Sequence, residues 1–358
     1  MTIAIILVAI LLIVAFVLAL AGFLLGGQGE KNIDINDGSK VIPVKGDETL
    51  LNALSNEKIF IPSACGGKAT CGHCKVKVVE GGGDLLATEE SFMTSEEVKN
   101  HVRLSCQCKV KSDLKIIIPE EMLTVQEFKT EVAEIDQLTH DIRLVRFKLI
   151  EPTTIDFKPG QYAQIEVPGM EVQRAYSIAS NPKDTGYLEL IIRQVPGGTA
   201  TTFVHKALEV GDKIRILGPF GHFFLDEHSD RDIVCIAGGS GKAPIRSILY
   251  YLKDHGMKRN VKYFFGARTK KDLYYTEEFQ QLSKEFPNFQ YYPALSEPLP
   301  EDNWTGDIGL ITNVVDGYCK DLGEHEAYLC GSPGMIDACF NVLEGNGMPP
   351  ERIYCDKF

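Results

Sequence analysis

The sequence predicts a multidomain chain of α+β and α/β type: a small mixed sheet, an antiparallel β-barrel and a parallel α/β domain, behind one N-terminal transmembrane helix. Three observations carry this expectation. Thr2 to Leu25 contains no charged residue. Cys65, Cys71 and Cys74 crowd one glycine-rich loop in a region of short segments. After Arg231 a rhythm of short strands gives way to strand–helix–strand alternation, the pattern of a parallel sheet with covering helices. A chain of 358 residues is long enough for more than one domain, and its 44% hydrophobic content suffices for several cores. The net charge of −12 opposes a nucleic-acid partner, which calls for a basic face.

At the N-terminus, roughly twenty apolar residues rising about 1.5 Å each cross a hydrocarbon layer of about 30 Å. A cleaved signal peptide competes, because Ala19-Leu20-Ala21 resembles a small-residue cleavage site. Against it, no Lys or Arg precedes the run, and the run exceeds a usual h-region. Lys31, Lys40 and Lys45 follow the span, and positive flanks stay cytoplasmic. Residues 1–26 are therefore expected to be an uncleaved single-pass anchor, N-terminus out, with the body of the protein in the cytoplasm. Gly26-Gly27-Gln28-Gly29 forms a flexible joint after it.

The first folded region is expected over residues 33–123. Ile33-Asp34-Ile35 and Lys40 to Val44 read as two strands around the turn Asp37-Gly38. Glu48 to Asn56 has helical spacing through Leu50, Leu51 and Leu54. Lys75 to Val79 alternates as a strand, and Leu114 to Pro119 closes the sheet. Residues 124–230 carry strand signals at regular spacing, among them Arg143–Leu149, Tyr162–Val167, Tyr187–Ile192 and Lys213–Ile216, separated by Gly and Pro, as in an antiparallel barrel. In residues 231–358, Ile233–Ala237 is an apolar strand, Ile245–His255 a helix and Val261–Phe265 the next strand.

The cysteine loop has the spacing C-x5-C-x2-C, Cys65, Cys71 and Cys74, with Cys106 and Cys108 far downstream. Plant-type ferredoxins use C-x4-C-x2-C…C, one residue shorter. A 2Fe–2S cluster needs four thiolates, with backbone N–H groups aimed at the sulfurs. Gly66, Gly67 and Gly72 let the loop wrap that closely. Cys71-x-His73 is half of a Rieske pair, but no Cys-x-x-His follows. Cys71 and Cys74 with Cys106 and Cys108 would suit zinc, leaving Cys65 unexplained. Disulfides belong to short secreted chains. Spacing alone does not separate Cys106 from Cys108 as fourth ligand, because residues two apart share a strand face.

Arg174-Ala175-Tyr176-Ser177 ends a strand. It offers a guanidinium to a flavin phosphate, an aromatic face to the isoalloxazine and a hydroxyl to its N5 edge. In isolation this motif would be an ordinary strand end; its company makes the case. Gly197, Gly198, Thr199 and Thr202 open a helix whose free N–H groups suit a pyrophosphate, and Gly218-Pro219-Phe220-Gly221 closes the barrel. Next, Ile233 to Ala237 runs into Gly238-Gly239-Ser240-Gly241-Lys242-Ala243-Pro244: a strand, a glycine turn around Gly239 and Gly241, and a helix with Pro244 expected at its first position. The following strand ends in Gly266-Ala267-Arg268, without the acid that holds the ribose in a Rossmann fold. Arg268, Lys270 and Lys271 offer positive charge for a 2′-phosphate. Cys330-Gly331-Ser332-Pro333 follows another strand, so Cys330 and Gly331 can face a nicotinamide from the other side. Cys235, Cys319 and Cys339 lack such context and read as core thiols.

Together the three modules resemble the ferredoxin–NADP reductase superfamily fused to an N-terminal ferredoxin. With the anchor, the chain resembles the family of F subunits of the sodium-translocating NADH:quinone oxidoreductase. The resemblance rests on the Cys65–Cys74 loop, Arg174–Ser177, Gly218–Phe224, Gly266–Arg268, Glu301-Asp302-Asn303-Trp304-Thr305-Gly306 and Phe358. It implies a β-grasp 2Fe–2S domain, a barrel for FAD and an α/β domain for NADH. It implies Cys106 as the fourth cluster ligand and Phe358 over the flavin ring. It implies a place in the bacterial inner (cytoplasmic) membrane and, as partners, other membrane subunits, passing electrons to quinone with sodium translocation by the complex. Ser177, Cys330 and Phe358 are the expected catalytic residues. Three departures stand out: the Gly197–Thr202 stretch is closer to other reductases, Lys242 replaces a usual Met, and Cys-Gly-Ser-Pro-Gly at Cys330 replaces Cys-Gly-Pro-Pro. The reductase component of a multicomponent oxygenase shares the three cytoplasmic modules, but is usually soluble. A stand-alone membrane NADH:acceptor reductase, or an electron relay without nucleotide chemistry, completes the alternatives.

Overall fold

The computed structural model describes Phe16 and residues 30–63, 65–170 and 172–357. The expected anchor, residues 1–26, lies outside the described residues, Phe16 apart. Among the described residues no helix is long and apolar enough to cross a membrane. The chain divides into two compact units at Leu123 and Thr124, residues 64–66 of the cysteine loop being grouped with the second. The expected barrel and α/β domain thus share one unit.

In the first unit, β1 (Lys31–Ile35), β2 (Lys40–Val44), β3 (Lys75–Glu80), β4 (Val102–Leu104) and β5 (Leu114–Ile117) form a five-stranded sheet, ordered β2-β1-β5-β3-β4. The β1–β5 pair is parallel and the rest antiparallel. Asn36 and Asp37 in the left-handed region make the β1–β2 turn. The helix Leu50–Asn56 starts where Thr49 accepts from the Asn52 N–H, and it buries Leu50, Ala53 and Leu54. Ile33, Ile35, Ile42, Val44 and Ile116 meet it from the sheet. One ion pair is fully buried here. The Glu89 carboxylate accepts from Arg103 and from the Leu86 and Leu104 N–H groups, while Arg103 also donates to the Gly82 and Gly83 carbonyls.

In the second unit, β6 (Gln126–Gln137), β7 (Ile142–Glu151), β8 (Tyr162–Glu166), β9 (Gln173–Ser177), β10 (Tyr187–Arg193) and β11 (Lys213–Phe220) follow the order β10-β7-β6-β11-β8-β9. A bridge between Ile178 and Leu190 brings the two edge strands together, so the sheet is a nearly closed antiparallel barrel. Its inward residues, including Phe128, Val145, Phe147, Ile165, Leu188 and Ile216, fill it.

The remaining strands are β12 (Asp232–Gly238), β13 (Val261–Ala267), β14 (Phe289–Leu295), β15 (Asp307–Ile308), β16 (His325–Gly331) and β17 (Ile353–Lys357). They pair in parallel in the order β15-β14-β13-β12-β16-β17. Alternation sorts their side chains. Ile233, Cys235, Ala237 and Phe265 face the helix Lys242–Asp254 and its neighbours, whereas Val234, Ile236 and Phe264 face the helices Ile311–Tyr318 and Pro333–Gly345. The first of these cores continues into barrel residues Ile142, Leu144, Ala179 and Ile191. Strand order reverses between β12 and β16, and the crevice beyond the carboxyl ends at such a switch point is where open α/β sheets bind ligands.

The helix after β12 runs Lys242–Asp254, not Ile245–His255, and a 3-10 turn at Gly239–Gly241 precedes it. Pro244 is therefore third in the helix, not first. The position suits it equally, because no N–H in the first turn has an intrahelical partner to lose.

Candidate functional site

The cysteine loop hangs between the helix Leu50–Asn56 and β3. Gly66, Gly67, Ala69 and Gly72 all have positive φ, so the backbone winds repeatedly through the left-handed region. At Gly72 a Cβ would come within 2.7 Å of the Phe92 ring. The Gly67 N–H donates to Ser63 Oγ at 2.9 Å. Cys65, Cys74 and Cys106 are buried and Cys71 is half-buried. The thiols of Cys74 and Cys106 lie close enough to act on each other, and the Gln107 side-chain amide donates toward the Cys106 sulfur at 3.8 Å. The Cys74 contact lowers the Cys106 thiol pKa, while the same contact and burial push Cys74 up.

Cys108 has a different neighbourhood. Its sulfur lies 3.9 Å from the Gly82 carbonyl oxygen, near Arg103 and Glu89, and burial raises its pKa. The expectation that Cys106 and Cys108 share a face fails because β4 ends at Leu104. The Gln107 and Cys108 N–H groups both return to the Leu104 carbonyl, a tight turn that separates the two thiols. Among the described residues no three His, Cys, Asp or Glu side chains converge as on a metal ion. No disulfide forms among them. A left-handed loop with an N–H aimed at a buried thiol, and two thiols in contact, fits a thiolate-held 2Fe–2S group.

On the barrel, β9 pairs with β8 so that Ser177 sits opposite Tyr162. Arg174 is exposed, Tyr176 half-buried and Ser177 buried. Burial pushes the Tyr176 hydroxyl up to about 12. The helix Thr199–Lys206 starts at Gly198, where the Thr201 hydroxyl bonds the Val195 N–H. A Cβ on Gly198 would strike that hydroxyl at 2.7 Å. Thr199 is exposed and Thr202 half-buried, with the Thr202 N–H bonded to the Gly198 carbonyl. Gly197, at φ +74, meets nothing within 4 Å of a built Cβ. An exposed guanidinium, a partly open aromatic ring and an open glycine turn at a helix start fit a flavin with its phosphates.

In the parallel sheet, the Gly239–Gly241 turn and Cys330-Gly331 occupy neighbouring carboxyl ends, those of β12 and β16. A Cβ on Gly241 would lie 2.1 Å from the Cys330 carbonyl oxygen, and one on Gly238 2.7 Å from Met335 Sδ. Only glycine permits this approach. Cys330 is fully buried, and burial raises its thiol pKa.

Two residues near these motifs are invisible to motif reading. Asp356 on β17 accepts from Ser177 Oγ at 3.2 Å and lies 4.0 Å from Cys330 Sγ. Two of the expected catalytic residues, one on the barrel and one on the sheet, therefore meet at one carboxylate. The third, Phe358, lies outside the described residues. Arg193 reaches across from β10, its Nη1 3.7 Å from where a Cβ on Gly239 would stand, and is held by Asp141 at 2.7 Å. Two of the three charges considered for a 2′-phosphate are engaged: Arg268 pairs with Glu297 at 3.1 Å, and Lys270 donates to the Asp302 carbonyl.

Comparison with known proteins follows the same order along the chain. Residues 33–111 match the 2Fe-2S iron-sulfur cluster binding domain family, 129–225 the oxidoreductase FAD-binding domain family and 235–340 the oxidoreductase NAD-binding domain family. The chain is 37% identical to the F subunit of the Na(+)-translocating NADH-quinone reductase of Neisseria meningitidis serogroup C, over 98% of this chain and 96% of that one. It is 40% identical to the phenol hydroxylase P5 protein of Acinetobacter pittii over 88% of this chain and 91% of that one. The crystal structure of Amycolatopsis cytochrome P450 reductase GcoB superimposes with a TM-score of 0.75 at 28% identity, covering 92% of this chain and 98% of that one.

Proposed function

The chain belongs to the family of F subunits of the Na(+)-translocating NADH-quinone reductase, and from that membership we propose how its parts serve the family's reaction. It is an NADH-oxidising oxidoreductase, the electron-input component, with NAD-, FAD- and 2Fe–2S-binding domains. The single observation that carries the finer reading is Asp356, which joins Ser177 of the barrel to Cys330 of the nucleotide-binding sheet.

Bound FAD and the 2Fe–2S group supply the exchange between a two-electron donor and one-electron carriers; the protein supplies placement and electrostatics. Arg174 and the Gly197, Gly198, Thr199 and Thr202 turn hold the flavin phosphates. Tyr176 presents its ring to the flavin, and Ser177 presents its hydroxyl to the N5 edge. The Asp356 carboxylate fixes that hydroxyl and the Cys330 thiol in one orientation. Gly239, Gly241 and Gly331 admit the nucleotide to the switch-point crevice, and Pro244 lies in the helix turn behind it. Phe358 would cover the flavin ring where nicotinamide must enter. Cys65, Cys71, Cys74 and Cys106 hold the cluster. Glu297 engages Arg268, which leaves less free positive charge for a 2′-phosphate and accords with NADH. Residues 1–26 anchor the protein in the cytoplasmic membrane, where other subunits take the electrons to quinone with sodium translocation. The division into 33–123, 124–230 and 231–358 assigns one cofactor to each folded part.

A second reading is favoured by the 40% identity to the phenol hydroxylase P5 protein: the reductase component of an oxygenase. One experiment addresses both. Membranes from the native cell are assayed for NADH:quinone activity with and without sodium, before and after deletion of this chain's gene. The expected result is loss of sodium-stimulated quinone reduction. Unchanged quinone reduction, with loss of an NADH-dependent hydroxylation, supports the second reading and overturns the first. Failure of NADH to bleach the purified flavoprotein overturns both.

A further inference from the structure

Lys242 is the first residue of the helix after the glycine turn, and none of its surface is exposed. Its Nζ lies 3.6 Å from the centre of the Phe265 ring and 4.5 Å from that of Tyr274, with Phe279 and Tyr291 next in the cage. Its hydrogen bond runs to the main-chain carbonyl of Tyr274. Among the described residues no carboxylate forms an ion pair with it; Glu278, Arg246 and Glu277 act on it only through longer-range charge. Burial drives its pKa well below the ordinary lysine value. A lysine is an expensive way to fill an apolar cage, since its polar end must be desolvated and bonded. A methionine would fill the same space without that cost.

The bonds around it form a closed circuit. The Lys242 main-chain N–H donates to the Gly239 carbonyl. The Tyr274 hydroxyl donates to the same carbonyl at 2.7 Å. The Lys242 amine donates to the Tyr274 carbonyl. Lys242 thus grips Gly239 twice, directly through its backbone and indirectly through Tyr274. The Gly239–Ser240 peptide is planar, and in a trans peptide the C=O and the following N–H point in opposite directions. Two donors pulling the Gly239 carbonyl toward the Tyr274 side turn the Ser240 N–H the other way. Gly239 needs its left-handed φ of +56 to hold this orientation.

We propose that Lys242 is a positioning residue for the nicotinamide nucleotide: through Tyr274 it fixes the Gly239 carbonyl, and so aims the N–H edge of the glycine turn at the dinucleotide phosphates. This rests on the reading of the β12–β16 crevice as the nucleotide site. Lys242 itself touches no ligand, being wholly enclosed. Its contribution is to hold a peptide plane that glycine, left alone, would let rotate.

The test is NAD⁺ titration of the full-length holoprotein, followed by flavin absorbance, for wild type, Lys242→Met, Lys242→Gln, Tyr274→Phe and the Lys242→Met/Tyr274→Phe pair. Lys242→Met and Tyr274→Phe should each raise the dissociation constant about tenfold. The pair should be no weaker than either alone, because both cut one circuit. Lys242→Gln keeps an N–H donor on a side chain one bond shorter and should bind NAD⁺ more tightly than Lys242→Met, though less tightly than wild type. Multiplying effects in the pair, or a lower melting temperature with unchanged NAD⁺ affinity, overturns the proposal. Should Lys242→Met lose its flavin, Tyr274→Phe decides alone, and unweakened binding there overturns it. Wild type that binds no NAD⁺ would instead sink the assignment of the crevice.

Discussion

Single residues decide the chemistry of the cysteine loop. Cys106 and Cys108 are separated by one residue, yet a turn at Leu104 gives them different surroundings. Cys106 meets Cys74, and Cys108 meets Gly82, Arg103 and Glu89. Cys106→Ser should therefore abolish or strongly alter the visible spectrum of the 2Fe–2S group and leave flavin reduction by NADH intact. Cys108→Ser should retain the spectrum. The opposite pattern, read by absorbance and paramagnetic resonance, would transfer the fourth-ligand role to Cys108. The sequence could not separate these two because it assumes an extended strand; the local turn that distinguishes them has no signature in Ser105-Cys106-Gln107-Cys108. Asp356 was equally hidden. It acquires meaning only when β17 lies beside β16. The glycine turns, by contrast, were readable, because each backbone demand selects one residue type.

At the scale of elements, the link between the segment around Glu89 and β4 rests on a buried ion pair. Glu89 is wholly enclosed and accepts from the Arg103 guanidinium and from the Leu86 and Leu104 N–H groups. Removing one partner of such a pair leaves a buried charge uncompensated, a loss of roughly 3–5 kcal/mol. Glu89→Ala should destabilise the first unit by about that amount, since Arg103 would keep only the Gly82 and Gly83 carbonyls. Denaturant unfolding followed by the cluster chromophore measures this directly, and a loss below about 1 kcal/mol would show that Arg103 finds other partners. Elements were legible where periodicity was strong, as in β12, β13 and the helix Leu50–Asn56. The start of the helix Lys242–Asp254 was misplaced because a 3-10 turn runs straight into it, and a glycine-rich segment shows no apolar period.

For the whole molecule, every assigned ligand lies after residue 30 in sequence. Removing residues 1–27 should yield a soluble protein that still reduces ferricyanide with NADH at the full-length rate. Loss of flavin or cluster on truncation would show that the N-terminal stretch takes part in folding. Domain order was readable in the changing rhythm of the chain, but the strand order β15-β14-β13-β12-β16-β17 was not. Neighbours in a parallel sheet are chosen by crossovers, and the sequence records each strand without recording which side it takes.

The contact between Gly241 and the Cys330 carbonyl has a further meaning. It is backbone against backbone, with no side chain between to act as padding. The gap between the glycine turn and the thiol-bearing strand is thus set like a machined stop, independent of how the core beneath is upholstered. Apolar residues on either face of β12 can be exchanged for others of similar volume, and the stop will still locate Cys330 at the same depth in the crevice. Stability can drift across such variants while the spacing at the mouth stays calibrated.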